Sequence, residues 1–329
     1  MLRWLRRFTN WNAEQRANVL AGAIAFGALG ILYLEAPPLP AGSDSVRLVT
    51  PRTQAIQLQP AAPRSQALAN VPEPGETPVI EISTERELTP AETAERTLKS
   101  KIARLEKGRD FLQKVPDYTA QFTKQELVDG ELLEEQTIYL KCRHQPFSVY
   151  LRWLTGDTGR EVLYVDGQNE GNMVVHAGGW KARLPALTIS PDSSLAMAES
   201  RYPVTKAGIL ELIHMSLSVH AEDLAKKTFS NCERLADQEF EGRMCSTFMI
   251  EYKDATVSPT YRKSVVLIDN EWHVPLYVRN FGWPGPAQTI DGDLDEATLI
   301  EYYTFTDVQF GGRLAAVDFD RTNEEYRFR

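Results

Sequence analysis

The chain has 329 residues, 43% hydrophobic, 9% aromatic and 25% charged, with a formal net charge of −9. That composition supplies a sizeable core and excludes a wholly disordered chain or a disulfide-packed miniprotein. The acidic balance also argues against nucleic-acid binding, because phosphate neutralisation needs a clustered excess of Lys and Arg.

Basic charge gathers at the start, where Arg3, Arg6, Arg7 and Arg16 stand against Glu14. Residues 1–16 therefore read as a basic cytoplasmic segment. Residues 17–34 carry no charge, and as a helix they would reach roughly 27 Å at ~1.5 Å per residue, close to a hydrocarbon core of ~30 Å. The expectation is a single-pass signal anchor in the cytoplasmic (inner) membrane, with the rest of the chain in the periplasm or exported compartment. A cleaved signal peptide fits less well, since the leader is long and prolines crowd the residues after the span. A buried helix of a soluble domain would be amphipathic rather than apolar all round. Arg6-Arg7 lies too far from the apolar run for a twin-arginine signal.

Residues 35–90 change character: ten of the nineteen prolines fall between 36 and 90, and no aromatic residue does. Such a stretch cannot bury enough surface to offset the entropy of ordering, so it reads as a disordered tether biased toward extended polyproline II geometry.

Order is expected over residues 91–329. Thr89-Pro90-Ala91-Glu92 has the form of a capping box. Leu98, Ile102, Leu105 and Leu112 then share one face of a helix running to about Val115, which Pro116 stops. The period shifts to two as Tyr118, Ala120 and Phe122 alternate with polar neighbours, and Asp129-Gly130 signals a hairpin. Residues 136–143, 147–154, 160–166 and 172–177 form a predicted meander, which a helix over 205–226 interrupts with its stripe Ile209, Leu212, Ile213 and Leu217. Strands resume at 229–240, 243–253, 261–268, 272–281 and 298–309, with tight turns at Glu241-Gly242 and Asp269-Asn270. About nine antiparallel strands with two or three helices make an α+β fold.

Particular segments carry a resemblance. The passage from Leu112 through Pro116 into Tyr118, Ala120 and Phe122 resembles the entry into the LolA/LolB-like lipoprotein-carrier fold. Pro146-Phe147-Ser148-Val149-Tyr150-Leu151-Arg152-Trp153, the run from Gly159 to Asn169, and the ending from Val317 to Phe328 look like a family of uncharacterised bacterial exported proteins grouped near that fold as a domain of unknown function. The resemblance covers most of residues 93–328. It implies a strongly curved antiparallel half-barrel with helices over its concave side, in an envelope compartment, and it brings no catalytic residues.

On such a sheet Phe147, Val149, Leu151 and Trp153 make one apolar strand face, opposite Ser148, Tyr150 and Arg152. Tyr118 and Phe122, Val162 and Tyr164, and Met173 and Val175 extend it across neighbouring strands as a candidate ligand-binding wall. In a carrier this wall and the helices would enclose a cavity for acyl chains. As ordinary core, the same wall would simply pack against the helices.

Catalytic patterns are weak. His144, His176, His214, His220 and His273 show no HExxH or paired-ligand spacing, and no GxSxG, Walker or GxGxxG motif occurs. The acids from Asp291 to Glu296 lack the glycine and glutamate of a calcium loop and read as a solvated loop. Gly282-Trp283-Pro284-Gly285-Pro286 reads as a rigid turn, with recognition edge as the alternative. Cys142, Cys232 and Cys245 form no CxxC. With Phe240 facing Arg243, Cys245 should face Gln238 and Cys232 should face Glu251, which separates the two thiols and leaves them free and buried. The expectation is therefore a non-catalytic, cofactor-free, metal-free envelope protein that binds a lipid, a lipoprotein acyl chain or another apolar ligand. The alternative is a scaffolding module with a filled core and a protein partner.

Overall fold

The computed structural model describes residues 86–285, 290, 292–312 and 314–328. The expected basic segment, membrane span and nearly all of the tether lie outside the described residues. Among the described residues no helix is long and apolar enough to cross a membrane.

Helix α1 (Pro90–Leu112) begins at the predicted capping box: the Thr89 side chain accepts the Glu92 N–H while the Glu92 carboxylate takes the Thr89 N–H. Its buried stripe is Ala94, Leu98, Lys101, Leu105, Gly108 and Leu112, a four-three alternation that faces helix α2 (Ile209–Lys226) and the strand after it. Gly108 is obligatory in this packing, because a Cβ there would lie 2.2 Å from the His273 carbonyl oxygen. Helix α2 starts four residues later than periodicity suggests, at Ile209, after the N-cap Gly208, whose φ of +96° sets the entry angle.

Thirteen antiparallel strands are found among the described residues, against the nine expected. They are β1 (Asp117–Val128), β2 (Glu131–Leu132), β3 (Gln136–Arg143), β4 (Ser148–Trp153), β5 (Glu161–Val165), β6 (Met173–His176), β7 (Leu187–Ile189), β8 (Phe229–Arg234), β9 (Gln238–Phe240), β10 (Arg243–Tyr252), β11 (Lys263–Asp269), β12 (Pro275–Phe281) and β13 (Leu299–Phe310). The order β7-β6-β5-β4-β3-β1-β13-β12-β11-β10-β8 leaves the sheet open, with β2 on β1 and β9 on β10. The surplus strands are too short for periodicity to register: β2 has two residues, β7 three, and residues 229–240 divide at Leu235 into β8 and β9. That division moves the register by one, so Cys232 faces Ile250 rather than Glu251, whereas Cys245 does face Gln238. All three cysteines are free and buried.

Both faces of the sheet's first half are covered. Even-numbered residues of β1 and odd-numbered residues of β4 face α2 and the segment before it. On the opposite face Tyr150, Leu163, Val165 and Val174 form a second core with Phe319, Tyr326 and Phe328 of the C-terminal tail. Tyr150 stacks on Tyr326 at 3.9 Å between ring centroids, and the Arg327 N–H donates to Glu161 Oε2 at 2.8 Å. A tail folded back over this face explains why every residue of β5 is buried, where alternation alone would leave every second one exposed.

Candidate functional site

The strand registers align the predicted wall into rows. Trp153, Ile138, Phe122 and Phe305 are successive cross-strand partners over β4, β3, β1 and β13. Val175, Val162, Leu151 and Leu140 make the next row, and Tyr164, Val149, Cys142 and Tyr118 the one after.

Between the wall and α2 lies a cavity of about 150 Å³. Phe122, Leu151, Trp153, Val162 and Met173 line it from the sheet, with Leu212 and Met215 opposite on α2. The other five predicted residues lie elsewhere. Tyr118 is buried beneath the start of α2, where its hydroxyl accepts the Ile209 N–H at 2.8 Å and leaves no room for a Cβ at Gly208. Val149 is fully buried, and Val175 is half-buried nearer the sheet edge. Phe147 precedes β4, stacks obliquely on Tyr164 at 6.1 Å and borders a separate cleft beside His144 and His214.

Sequence reasoning missed the polar end of this cavity. Glu126 and Glu301 are direct partners on β1 and β13, each almost fully buried. Two adjacent buried carboxyls are tolerable only when hydrogen-bond donors surround them. Glu126 accepts from Lys124 Nζ at 2.8 Å, Tyr303 OH at 2.6 Å and the Arg201 N–H at 3.2 Å. Glu301 accepts from Arg201 Nε, Tyr202 OH and Tyr261 OH, each at 3.1 Å, and from Asn280 Nδ2 at 2.7 Å. Burial, then the two carboxylates, drive the Tyr303 hydroxyl well above its ordinary pKa, so it remains a donor. Burial works against the charge on Arg201, but Glu301 beside it wins and raises its pKa.

The same contacts pin a strap over the cavity. Most of residues 199–208, the segment leading into α2, line the cavity. Lys124 Nζ also donates to the Glu199 carbonyl at 3.2 Å, Arg201 Nη1 donates to the Leu127 carbonyl at 2.9 Å, and Arg160 pairs with Glu199 at 2.5 Å. Burial raises the Glu199 pKa, yet the Arg160 guanidinium outweighs it and holds that carboxyl below the usual range. Arg160 also lies 5.2 Å from the centre of the Trp153 ring, tying the strap to the wall.

A second cavity of about 80 Å³ adjoins the first and shares Tyr202, Leu212, Met215 and Tyr303 with it. Lys101 of α1 lines this limb although it is 1% exposed. Burial pulls its pKa down to about 8, against smaller opposing effects of Cys232 and Asp223. The sequence signal was available, since Lys101 interrupts the apolar stripe of α1, but the stripe can be read through Ile102 without it.

Other sequence candidates resolve as structure. The acids near residue 295 are largely exposed, as a solvated segment would be, but they form a helical turn capped by Asp293, with Asp295 paired to Lys263 at 2.7 Å and Glu296 to Arg279 at 2.9 Å. Trp283 packs on the core beside α1 and donates Nε1–H to the Ser258 carbonyl at 2.7 Å, as a turn residue. His220 is a buried partner of Asp223 at 3.2 Å, and burial, with Lys101 nearby, lowers its pKa to about 4.

Among curated proteins none matches the sequence. Solved structures with partial similarity include the Mycobacterium tuberculosis lipoprotein LppX, at 11% identity over 66% of this chain and 98% of that one, with a TM-score of 0.39. The MucA/MucB complex of Pseudomonas aeruginosa matches at 14% identity over 67% of this chain and 60% of that one, with a TM-score of 0.38. A LolA superfamily protein from Nitrosomonas europaea matches at 9% identity over 66% of this chain and 96% of that one, with a TM-score of 0.28. The decisive match is to a family model spanning residues 115–328, nearly all of the sheet, α2 and the tail, and the chain belongs to that family, described as "Protein of unknown function (DUF1571)".

Proposed function

We propose that this chain is a membrane-anchored envelope protein whose half-barrel sheet binds a lipid, a lipoprotein acyl chain or a similar apolar ligand between wall and α2, without catalysis or a cofactor. The observation that carries the reading is the open space itself. Five large apolar side chains of the wall face Leu212 and Met215 across a gap that a filled core would have closed. About 150 Å³ suits a benzene-sized group, so a long chain enters by displacing the strap 199–208. Hydrogen bonds and ion pairs of Lys124, Arg201 and Glu199 hold that strap, and such polar contacts can exchange for water when it opens. The buried carboxyls support a binding role, since each oxygen of Glu126 and Glu301 already receives donors from the sheet and strap. The uncharged span 17–34 supports anchoring on the exported side.

The test is lipid analysis of the full chain purified from the envelope, beside Met215→Trp, which fills the gap from α2. Stoichiometric acyl lipid in the wild type and its loss in the folded variant are expected. Equal, trace lipid in both would sink the reading.

A second reading, docking of a protein partner, is favoured by the exposed apolar residues Trp180, Leu184 and Leu187 at the β7 edge. It is tested by crosslinking in the envelope from residue 187.

A further inference from the structure

Lys101 is out of place for a stability element. It sits at the centre of the α1 seam, 1% exposed, where an apolar residue would pack without desolvating a charge. The groups around it come from every packed element: His220 and Asp223 from α2, Cys232 from β8, Tyr252 from β10, with Tyr261 and Glu301 across the cavity. None of them ion-pairs with its ammonium among the described residues. Asp223 spends its oxygens on His220 Nδ1, Thr228 Oγ1 at 2.5 Å and Tyr252 OH at 3.1 Å. Glu301 is enclosed by its own donors. His220 is neutral near pH 7. A buried cation thus presents unused N–H donors to a small chamber, lined by apolar side chains together with Ser216, His220, Asn280 and Glu301, that adjoins the larger one.

Resting on the acyl-binding reading above, we propose that the ligand is a single-chain amphiphile with a carboxylate head, the head seated at the Lys101 ammonium and the chain lying along Trp153 and Phe122. Two observations shape the choice. The limb that Lys101 lines, about 80 Å³, has room for a carboxylate and a few waters. The two limbs meet at Tyr202, Leu212, Met215 and Tyr303, so one molecule reaches both. A charge-assisted contact of this kind favours the acid over its neutral alcohol by about tenfold or more.

The experiment uses the full chain held in amphipol, with palmitate and hexadecanol each carrying a terminal diazirine, and reads apparent affinity and labelled residues. Wild type should prefer palmitate by at least about tenfold near pH 7, with label along the wall. Lys101→Met should abolish the preference, weakening palmitate binding by about tenfold more than hexadecanol binding. In wild type alone, raising the pH past the Lys101 pKa of about 8 should erode the palmitate preference and spare hexadecanol. Equal binding of acid and alcohol, or a preference that survives both Lys101→Met and high pH, would overturn the carboxylate assignment and leave the acyl cavity standing. Failure of both probes to bind would remove the acyl-binding reading and this inference with it.

Discussion

Lys101 and the pair Glu126 and Glu301 show what a stripe of hydrophobicity conceals. Leu98 and Leu105 mark the face of α1, but nothing in their spacing says that the position between them is buried. Only the approach of α2 and β8 makes Lys101 a core residue. Glu126 and Glu301 likewise sit 175 positions apart in the sequence and become neighbours through the β1–β13 register. The wall was legible because strand alternation alone determines which side chains share a face, yet depth along the strand decides which of them meet the cavity. Phe122 and Trp153 do, whereas Tyr118 and Val149 do not. A buried unpaired ammonium costs stability, so Lys101→Met should stabilise the fold by about 1–4 kcal/mol at neutral pH in urea unfolding. The sign of the pH effect follows from the depressed pKa. Between about 8 in the folded state and the ordinary 10.5, the unfolded chain holds the extra proton, so stability rises with pH across that window and falls as pH drops through it. Lys101→Met should flatten the slope between pH 8 and 10; a variant that loses stability and keeps the slope would show that Lys101 is already paired.

At the level of elements, the capping box, the hairpin at Asp129-Gly130 and the long strands were all readable because each has a local cause. Asp129 and Gly130 both adopt positive φ, as a two-residue hairpin turn demands. Contacts that close over distance were not readable. The tail from Ala316 to Phe328 carries a family-like pattern, but its role as a cover for Tyr150, Leu163 and Val174 depends on where the chain turns after β13. Phe328 is 2% exposed and meets the Tyr150 and Tyr326 rings edge-on. Phe328→Ala should therefore cost about 3 kcal/mol and raise amide exchange in β4 and β5. An unchanged urea midpoint would mean the tail is a loose appendage rather than half of a core.

The described residues form a single open sheet whose first half carries different covers on its two faces. The tail closes one face of that half by stacked aromatic rings, as a core is closed. The helices and strap meet the other across an apolar gap whose margins are polar and ion-paired. That asymmetry is the basis of the functional account, in which the helix-covered face is the one that takes up an acyl chain. The six methionines report on it directly, because Met173 and Met215 line the cavity from opposite sides, while Met244 is exposed and Met249 belongs to β10 away from the gap. The measurement is a titration of the 13C-methyl-methionine protein with palmitate, followed by NMR. The account predicts saturable shifts of the Met173 and Met215 methyl signals with Met244 and Met249 unmoved. Shifts confined to Met244, or none at any methionine, would contradict it.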